Sequence, residues 1–375
     1  MNHHKQLNKK IIKGENFIMK IKAAVTPKTG QPFEITDIEL PELESKDVLI
    51  RVTASGICHT DVSGRDTGMV NPPAVLGHEG AGIVEEIGSE VTELQKGDHV
   101  VVSFASCGKC DNCLANHPAH CRYYGELNLN SHIDQETNEL VSRFFGQSSF
   151  ATYSLVNQRN VVKIDKDMDL ALAAPLGCGL QTGASSVLNV LKPEAGSSIA
   201  VFGVGAVGLS GIMAAKIAGC KNIIAIDLHE NRLELAKELG ATATIKSGKG
   251  VDTAEKINEI TGAGVQHVLD TTGVDVVIAQ AIASLDTFGK IVTVVTDFNL
   301  SIPLEALALK GGSIIGTSQG DATPQTFIPE MISYYKKGQF PYDRMVKYYE
   351  FDEINKAFKE SENGSVIKPV LKINY

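Results

Sequence analysis

Between Met19 and Phe150 apolar and polar residues alternate over short runs, as in Asp47 to Ala54, Gly82 to Gly88 and His99 to Phe104, with Gly and Pro between them. A period of two sends successive side chains to opposite faces, so this stretch predicts a compact β-rich domain of half-buried strands. From Arg122 to Ser148 the periodicity fades into polar residues, among them Asn128, Asn130, Ser131, Asp134 and Glu136, which predicts a surface loop. Beyond Leu180 the rhythm changes. Apolar runs predicting strands at Ser198 to Phe202, Asn222 to Asp227, Ala243 to Lys246, His267 to Thr271, Lys290 to Val295 and Ser313 to Gly316 alternate with amphipathic stretches. One such stretch, Asn231 to Leu239, gathers Leu233, Leu235, Ala236 and Leu239 on one side and stops at Gly240. Strands alternating with helices predict a doubly wound parallel sheet. After Thr317 the alternation ends, and helical pieces separated by Pro324, Pro329 and Pro341 are assigned back to the first domain.

The expected organisation is therefore α/β: a β-rich domain over 19–180 and 317–375, a dinucleotide-type domain over 181–316, and an extension over 1–18. A chain of 375 residues exceeds what one hydrophobic core usually serves, which agrees with two domains. The extension carries Lys5, Lys9, Lys10 and Lys13 against the single acid Glu15 and has no apolar stretch of signal-peptide length. Met19 directly precedes the first strand-like run, Lys20 to Val25, and is a candidate start.

A net charge of −9 argues against a nucleic-acid partner, because phosphate binding needs a basic footprint. No run of about 18 apolar residues predicts a membrane span. Without a secretory signal the chain is expected in the cytoplasm, where its seven cysteines point to metal or catalysis and not to disulfides.

Four of the cysteines, Cys107, Cys110, Cys113 and Cys121, form C-x2-C-x2-C-x7-C in a loop-like stretch with Gly108 and Pro118. Four sulfurs so close in sequence can surround one tetrahedral ion, the arrangement of a closed structural zinc site. An iron–sulfur cluster is the competing metal, although the C-x2-C-x2-C-x3-C-P continuation is missing. Cys58, His78 and Cys178 sit far apart, each beside glycine: Gly56-Ile57-Cys58-His59, Gly77-His78-Glu79 and Gly177-Cys178-Gly179. Two cysteines and a histidine with an open fourth position make a catalytic zinc set. Cys220 is left over and reads as a buried small hydrophobe at a helix-to-strand junction.

Gly203-Val204-Gly205-Ala206-Val207-Gly208 is G-x-G-x-x-G, placed between the strand Ser198 to Phe202 and the apolar helix Leu209 to Ala218. Gly203, Gly205 and Gly208 allow a tight turn and close approach to a pyrophosphate at the helix N-terminus. The next strand ends at Asp227, nineteen residues beyond Gly208, where a carboxylate can accept ribose hydroxyls and repel a 2′-phosphate. NAD is expected over NADP.

With these residues in place the chain resembles the zinc-containing medium-chain dehydrogenase/reductases. Gly77-His78-Glu79-x2-Gly82-x5-Gly88-x2-Val91 is similar to that family's zinc signature, and the cysteine run to its structural lobe. Pro175-Leu176-Gly177-Cys178-Gly179, the Phe144-Phe145-Gly146-Gln147-Ser148-Ser149-Phe150 segment and Val346-Lys347-Tyr348-Tyr349 most resemble the bacterial aryl- or benzyl-alcohol dehydrogenases. The resemblance implies a GroES-like catalytic domain joined to a Rossmann domain, two zinc ions per chain, and NAD-linked oxidation of a primary, aromatic or allylic alcohol. A glutathione-linked formaldehyde dehydrogenase, a general aliphatic alcohol dehydrogenase and a non-catalytic nucleotide-binding relative are the rival readings. The resemblance also implies a homo-oligomer, dimer or tetramer.

By the same resemblance Cys58, His78 and Cys178 hold the catalytic zinc, Glu79 can approach it, and Asp61 orients His78. Thr60 takes the substrate proton, and His59, Thr182, Arg232 and Lys368 contact cofactor. His59 and Lys368 stand where relatives carry arginine, and Ser63 where some carry the histidine that ends the proton relay. Ser103, four residues before Cys107, is expected on the substrate wall, its small side chain leaving room for a ring.

Overall fold

The computed structural model describes residues 19–294 and 301–374. The extension over 1–18 and Val295, the last residue of one expected strand, lie outside the described residues.

The first part of the chain folds around two antiparallel-rich sheets. The strand Met19–Thr26 pairs with Glu34–Leu40 on one side and Ala74–Val75 on the other. A seven-stranded sheet orders Val161–Ile164, His99–Val102, Gly80–Ile87, Asp47–Gly56, Lys368–Lys372 and Val346–Glu350, with Tyr153–Asn157 added beside Asp47–Gly56. The alternation in Asp47–Gly56 works as expected: Val48, Ile50, Val52 and Ala54 are buried, while Leu49, Arg51 and Thr53 are half-buried on the other face. Val48 and Ile50 meet Val84, Val100, Val102 and Val156 in one cluster, so β-branched side chains fill a closed β core.

Two registers in this sheet position the chemistry. Ser55 pairs with Gly80, which sets the turn after Gly56 against the turn before Gly80. Val370 pairs antiparallel with Gly56, returning the C-terminal strand to the seven-stranded sheet and laying Lys368 beside the same turns.

A separate sheet has six parallel strands in the spatial order Ala243–Lys246, Asn222–Asp227, Ser198–Phe202, Val265–Asp270, Leu285–Thr293, Ser313–Gly316. The reversal of direction beside Ser198–Phe202 is the switch point where ligands bind in doubly wound sheets. The helix after it runs Ala206–Ile217, starting three residues earlier than the apolar run suggested, because Gly205 caps it. Helix Glu230–Leu239 likewise starts one residue earlier than its periodic stretch. The fifth strand begins at Leu285, earlier than Lys290, through an irregularity opposite Val265 to His267.

One apolar cluster runs from Val101 and Leu176 through Leu180 and Ala184 to Val201 and Leu209, so the helix Gly179–Ser185 is packed from both sheets. Among the described residues no helix is long and apolar enough to cross a membrane.

The expected surface loop over 122–148 is corrected. It contains the helix Tyr124–Asn128 and the strands His132–Ile133 and Leu140–Ser142, and both Asn128 and Ser131 are fully buried. The Asn128 amide accepts from Ala105 N at 2.8 Å and donates to Ala105 O at 3.0 Å, replacing a missing strand partner. Ser131 Oγ does the same at Val75, accepting from its N and donating to its O. Polar residues thus serve buried backbone here, which a hydropathy pattern reads as loop. Cys220 is also corrected: it is half-buried, its sulfur 3.7 Å from Ser197 Oγ.

Candidate active site

Cys58 ends the turn after the strand Asp47–Gly56 and precedes the helix His59–Asp66. Gly56 must lack a side chain there, since a Cβ would lie 2.1 Å from Glu79 Oε2. His78 and Glu79 precede the strand Gly80–Ile87, and Cys178 precedes the helix Gly179–Ser185. One ligand atom from each of Cys58, His78, Glu79 and Cys178 lies within 4.8 Å of the others.

Asp61, fully buried in the first turn of its helix, organises this set. Its Oδ1 lies 2.8 Å from His78 Nδ1 and accepts from Gly77 N at 3.0 Å, while Oδ2 accepts from Cys58 N at 3.0 Å. In the neutral ring an Nδ1 that donates to a carboxylate leaves the lone pair on Nε2, the form a metal binds. Among the described residues His78 Nε2 is buried and has no hydrogen-bond partner. An orphaned nitrogen facing two sulfurs is a donor set that fits zinc. Burial opposes protonation of His78, but the charge of Asp61 and its hydrogen bond, with the Cys58 contact, push its pKa up to about 10 in the metal-free chain. The Cys178 contact holds the Cys58 thiol well below its ordinary value, against burial, and the same contact with burial pushes Cys178 up.

Glu79 is held away from solvent by Lys368, whose Nζ also donates to Ile57 O at 3.0 Å, and its Oε1 accepts from Gly179 N at 3.1 Å. Burial raises the Glu79 pKa, opposed by the charge of Lys368. Lys368 was expected at the cofactor; its ammonium is buried and turned to Glu79. Thr60 Oγ1 stands 3.8 Å from Cys58 Sγ, and His59 is exposed at the rim. Ser63 is half-buried.

Ser103 is corrected. It is fully buried, donates to Gly177 O at 2.7 Å and accepts from Gln181 Nε2 at 2.8 Å, so its hydroxyl fixes the chain before Cys178 and lines no open wall. Rings pack around His78 instead. Phe145 stacks on the His78 ring with centroids 4.5 Å apart, Phe144 meets it edge-on at 5.4 Å, and Tyr124 reaches Phe145 at 6.4 Å. Three glutamines were not singled out from the sequence. Gln147 is buried with Oε1 accepting from Gly80 N at 3.1 Å and Nε2 donating to His78 O at 3.0 Å, so it braces the histidine's backbone. Gln181 and Gln319 lie beside Cys178. The only sequence signal for Gln147 was its place in the Phe144 to Phe150 segment.

Cys107, Cys110, Cys113 and Cys121 likewise bring their sulfurs within 4.8 Å of one another, with Cys107 and Cys113 3.9 Å apart. A tetrahedral ion with bonds of about 2.3 Å needs sulfurs roughly 3.8 Å apart. A multi-iron cluster would have to sit between the sulfurs and spread them, so a single ion fits better. Backbone N–H groups of Cys110 and Lys109 donate to Cys107 Sγ at 3.3 and 3.5 Å, and that of Cys107 to Cys121 Sγ at 3.3 Å, which suits thiolates.

At the dinucleotide turn Gly208 packs so closely that a Cβ would lie 2.0 Å from Gly203 O, whereas a Cβ on Gly205 would meet no atom of the described residues within 4 Å. The turn is therefore closed on the protein side and open on the ligand side, a cradle that fits a pyrophosphate. Asp227 Oδ2 accepts from Val204 N at 2.8 Å and Oδ1 from His229 N at 2.9 Å, and Arg232 Nη1 lies 3.8 Å from Oδ2. A carboxylate has further lone-pair sites for hydroxyl donors. Thr182 Oγ1 donates to Cys178 O at 2.8 Å, between this turn and the metal set.

Residues 44–166 match the alcohol dehydrogenase GroES-like domain, and residues 206–336 match the zinc-binding dehydrogenase family. The chain is 40% identical over 360 residues to a geraniol dehydrogenase of Castellaniella defragrans, covering 93% of this chain and 96% of the relative. It is 32% identical over 376 residues to alcohol dehydrogenase 1 of Pisum sativum, covering 95% and 98%. Among solved structures, benzyl alcohol dehydrogenase from Acinetobacter calcoaceticus superposes with a TM-score of 0.90 at 45% identity, covering 95% of this chain and 100% of that one.

Proposed function

Because this chain belongs to the zinc-containing medium-chain alcohol dehydrogenases, we propose that it converts primary aromatic or allylic alcohols to aldehydes with NAD as the hydride acceptor. The observation that carries the reading is His78 Nε2, buried, without a hydrogen-bond partner among the described residues and gathered with the Cys58 and Cys178 sulfurs. Cys58, His78 and Cys178 would hold one zinc, and Cys107, Cys110, Cys113 and Cys121 a second. The catalytic zinc supplies a Lewis acid that lowers the pKa of an alcohol hydroxyl. The nicotinamide supplies the redox chemistry, and the protein the positioning.

The chain's own residues divide the remaining work. Asp61 fixes the tautomer of His78, and Gln147 its backbone. Thr60 Oγ1, beside Cys58, takes the alcohol proton and passes it outward towards exposed His59. Asp227 accepts ribose hydroxyls, with Gly203, Gly205 and Gly208 cradling pyrophosphate and Arg232 and Thr182 flanking them. Tyr124, half-buried at the edge of Phe145, would offer an apolar surface on which a ring or an allylic chain buries area. The names of two relatives, geraniol dehydrogenase and benzyl alcohol dehydrogenase, support that substrate class over short aliphatic alcohols.

The division into a catalytic domain over 19–180 and 317–375 and a nucleotide-binding domain over 181–316 is supported by the separate sheets. Self-association is supported by Phe288, Leu304 and Leu309, 78%, 68% and 82% exposed near the edge strand Ser313–Gly316. The test is a substrate panel with NAD over benzyl, cinnamyl, geranyl and ethyl alcohols and S-hydroxymethylglutathione. Benzyl or geranyl alcohol should give the highest kcat/KM; ethanol in first place would overturn the assignment.

A further inference from the structure

We propose that Gln319 is a positioning residue that ties the sulfur of Cys178 to the hydroxyl of Tyr124, so that one amide sets both a metal ligand and the aromatic wall beside it. The inference rests on the reading of Cys58, His78 and Cys178 as a zinc set. Gln319 lies on the other side of the nucleotide-type sheet in sequence, yet its buried Nε2 is 3.6 Å from Cys178 Sγ and 3.3 Å from Tyr124 Oη. Its Oε1 accepts from Gln181 Nε2 at 3.2 Å, and Thr182 Oγ1, whose proton is donated to Cys178 O, lies 3.4 Å away. The amide is therefore used on both sides. A metal-bound thiolate only accepts, so the nitrogen and not the oxygen must face Cys178.

The backbone explains why this amide cannot drift. Gln319, Gly320 and Asp321 have φ of 52°, 63° and 53°, three consecutive left-handed residues of which two carry side chains. Such a turn persists only when its surroundings over-determine it. Ser185 Oγ donates to Gly320 O at 2.7 Å, and a Cβ on Gly320 would lie 2.6 Å from both Thr182 O and Ser186 N. On the opposite side Asp321 Oδ2 lies 2.7 Å from His117 Nδ1 and Oδ1 lies 3.7 Å from His120 Nε2. Both histidines lie between Cys113 and Cys121. The turn is thus wedged between the helix that follows Cys178 and the four-cysteine loop, and its first side chain is delivered to the sulfur from a fixed anchor. A hydrogen bond to a thiolate draws charge from sulfur and holds its direction, which is how outer partners tune a metal site.

The experiment compares zinc-loaded and cobalt-loaded wild-type protein with Gln319→Met, which keeps the length and loses the donors, and with Tyr124→Phe. Release of zinc to a chromophoric chelator should be about 10–100-fold faster in Gln319→Met for one zinc of the two, by the usual weight of such partners. The thiolate-to-cobalt absorption band should shift in the same variant, a signature that a loss of packing alone does not move. Tyr124→Phe should leave release and band unchanged and alter only the ratio of kcat/KM for benzyl alcohol to that for ethanol. Gln319→Glu is the second variant: it keeps length and size, and its carboxylate against the thiolate should also shift the band. Wild-type release with an unshifted band in both Gln319 variants overturns the proposal while leaving the zinc set intact. Equal loss of both zinc ions with a lower Tm also overturns it, in favour of a purely structural role. Wild-type protein holding no metal on Cys178 overturns the functional reading and this proposal together.

Discussion

Lys368 Nζ lies 3.0 Å from each carboxylate oxygen of Glu79, and the two side chains are 2% and 0% exposed. The pair closes the back of the metal set, and it exists because the C-terminal strand returns beside Gly56. A charge so placed has no water to fall back on.

Removing one partner should therefore be costly. Lys368→Met is expected to lower stability by about 3–5 kcal/mol, because it strands the Glu79 carboxylate, and Lys368→Met with Glu79→Gln should recover most of the loss. Chemical denaturation of the three variants measures both. A large rise in the KM for NAD with unchanged stability would instead return Lys368 to the cofactor role expected from the family resemblance.

The two cysteine sets should separate in metal analysis. Cys178→Ser is expected to lose one zinc and nearly all activity while keeping its circular dichroism spectrum. Cys113→Ser should lose the other zinc and the stability of the loop that clamps Asp321. One zinc per chain in fully active protein would sink the two-site reading.

Asp227 accepts from Val204 N in the glycine turn, and under the proposed function the same carboxylate would also take ribose hydroxyls. Asp227→Ser should narrow the preference for NAD over NADP and also raise the KM for NAD, since the turn loses its anchor. Steady-state kinetics with both cofactors decide this, and an unmodified enzyme that prefers NADP would refute the role.

For proton transfer, Thr60→Val is expected to reduce alcohol oxidation by several orders of magnitude with metal content unchanged. Ser63→Ala should cost little, because a serine hydroxyl is no base near neutrality and water can replace it. Asp61→Asn should weaken zinc binding about 10–100-fold, because an amide cannot fix the His78 tautomer as a carboxylate does. Near-normal turnover in Thr60→Val would end the relay.

What could be read from the sequence is what the chain encodes over short distances. The C-x2-C-x2-C-x7-C loop closes on itself, and strand, glycine turn and helix at Gly203 to Gly208 are consecutive, so spacing alone implied both. That six strands would alternate with helices in a parallel sheet followed from the pattern, whereas their spatial order came from the structure. Cys58, His78 and Cys178 could be grouped as a candidate set from their ligand chemistry and strengthened by resemblance, but spacing did not bring them together, since their meeting depends on Ser55 pairing with Gly80 and on a helix packed between two sheets.

Tertiary structure alone decided which polar groups those registers would bury together. Lys368 meets Glu79 across 289 residues, Gln319 meets Cys178 across 141, and Gln147 meets His78 across 69. Asn128 and Ser131, polar in pattern, turned out to be buried substitutes for backbone partners. Hydropathy reports whether a residue tends to leave water, and period reports which face it shares. Neither says which buried N–H or carbonyl will stand opposite an amide, because that is fixed by the positions of distant strands. The fold class was thus written in local patterns, whereas the inner supports of the metal set arose only when packing forced buried polar groups to find partners.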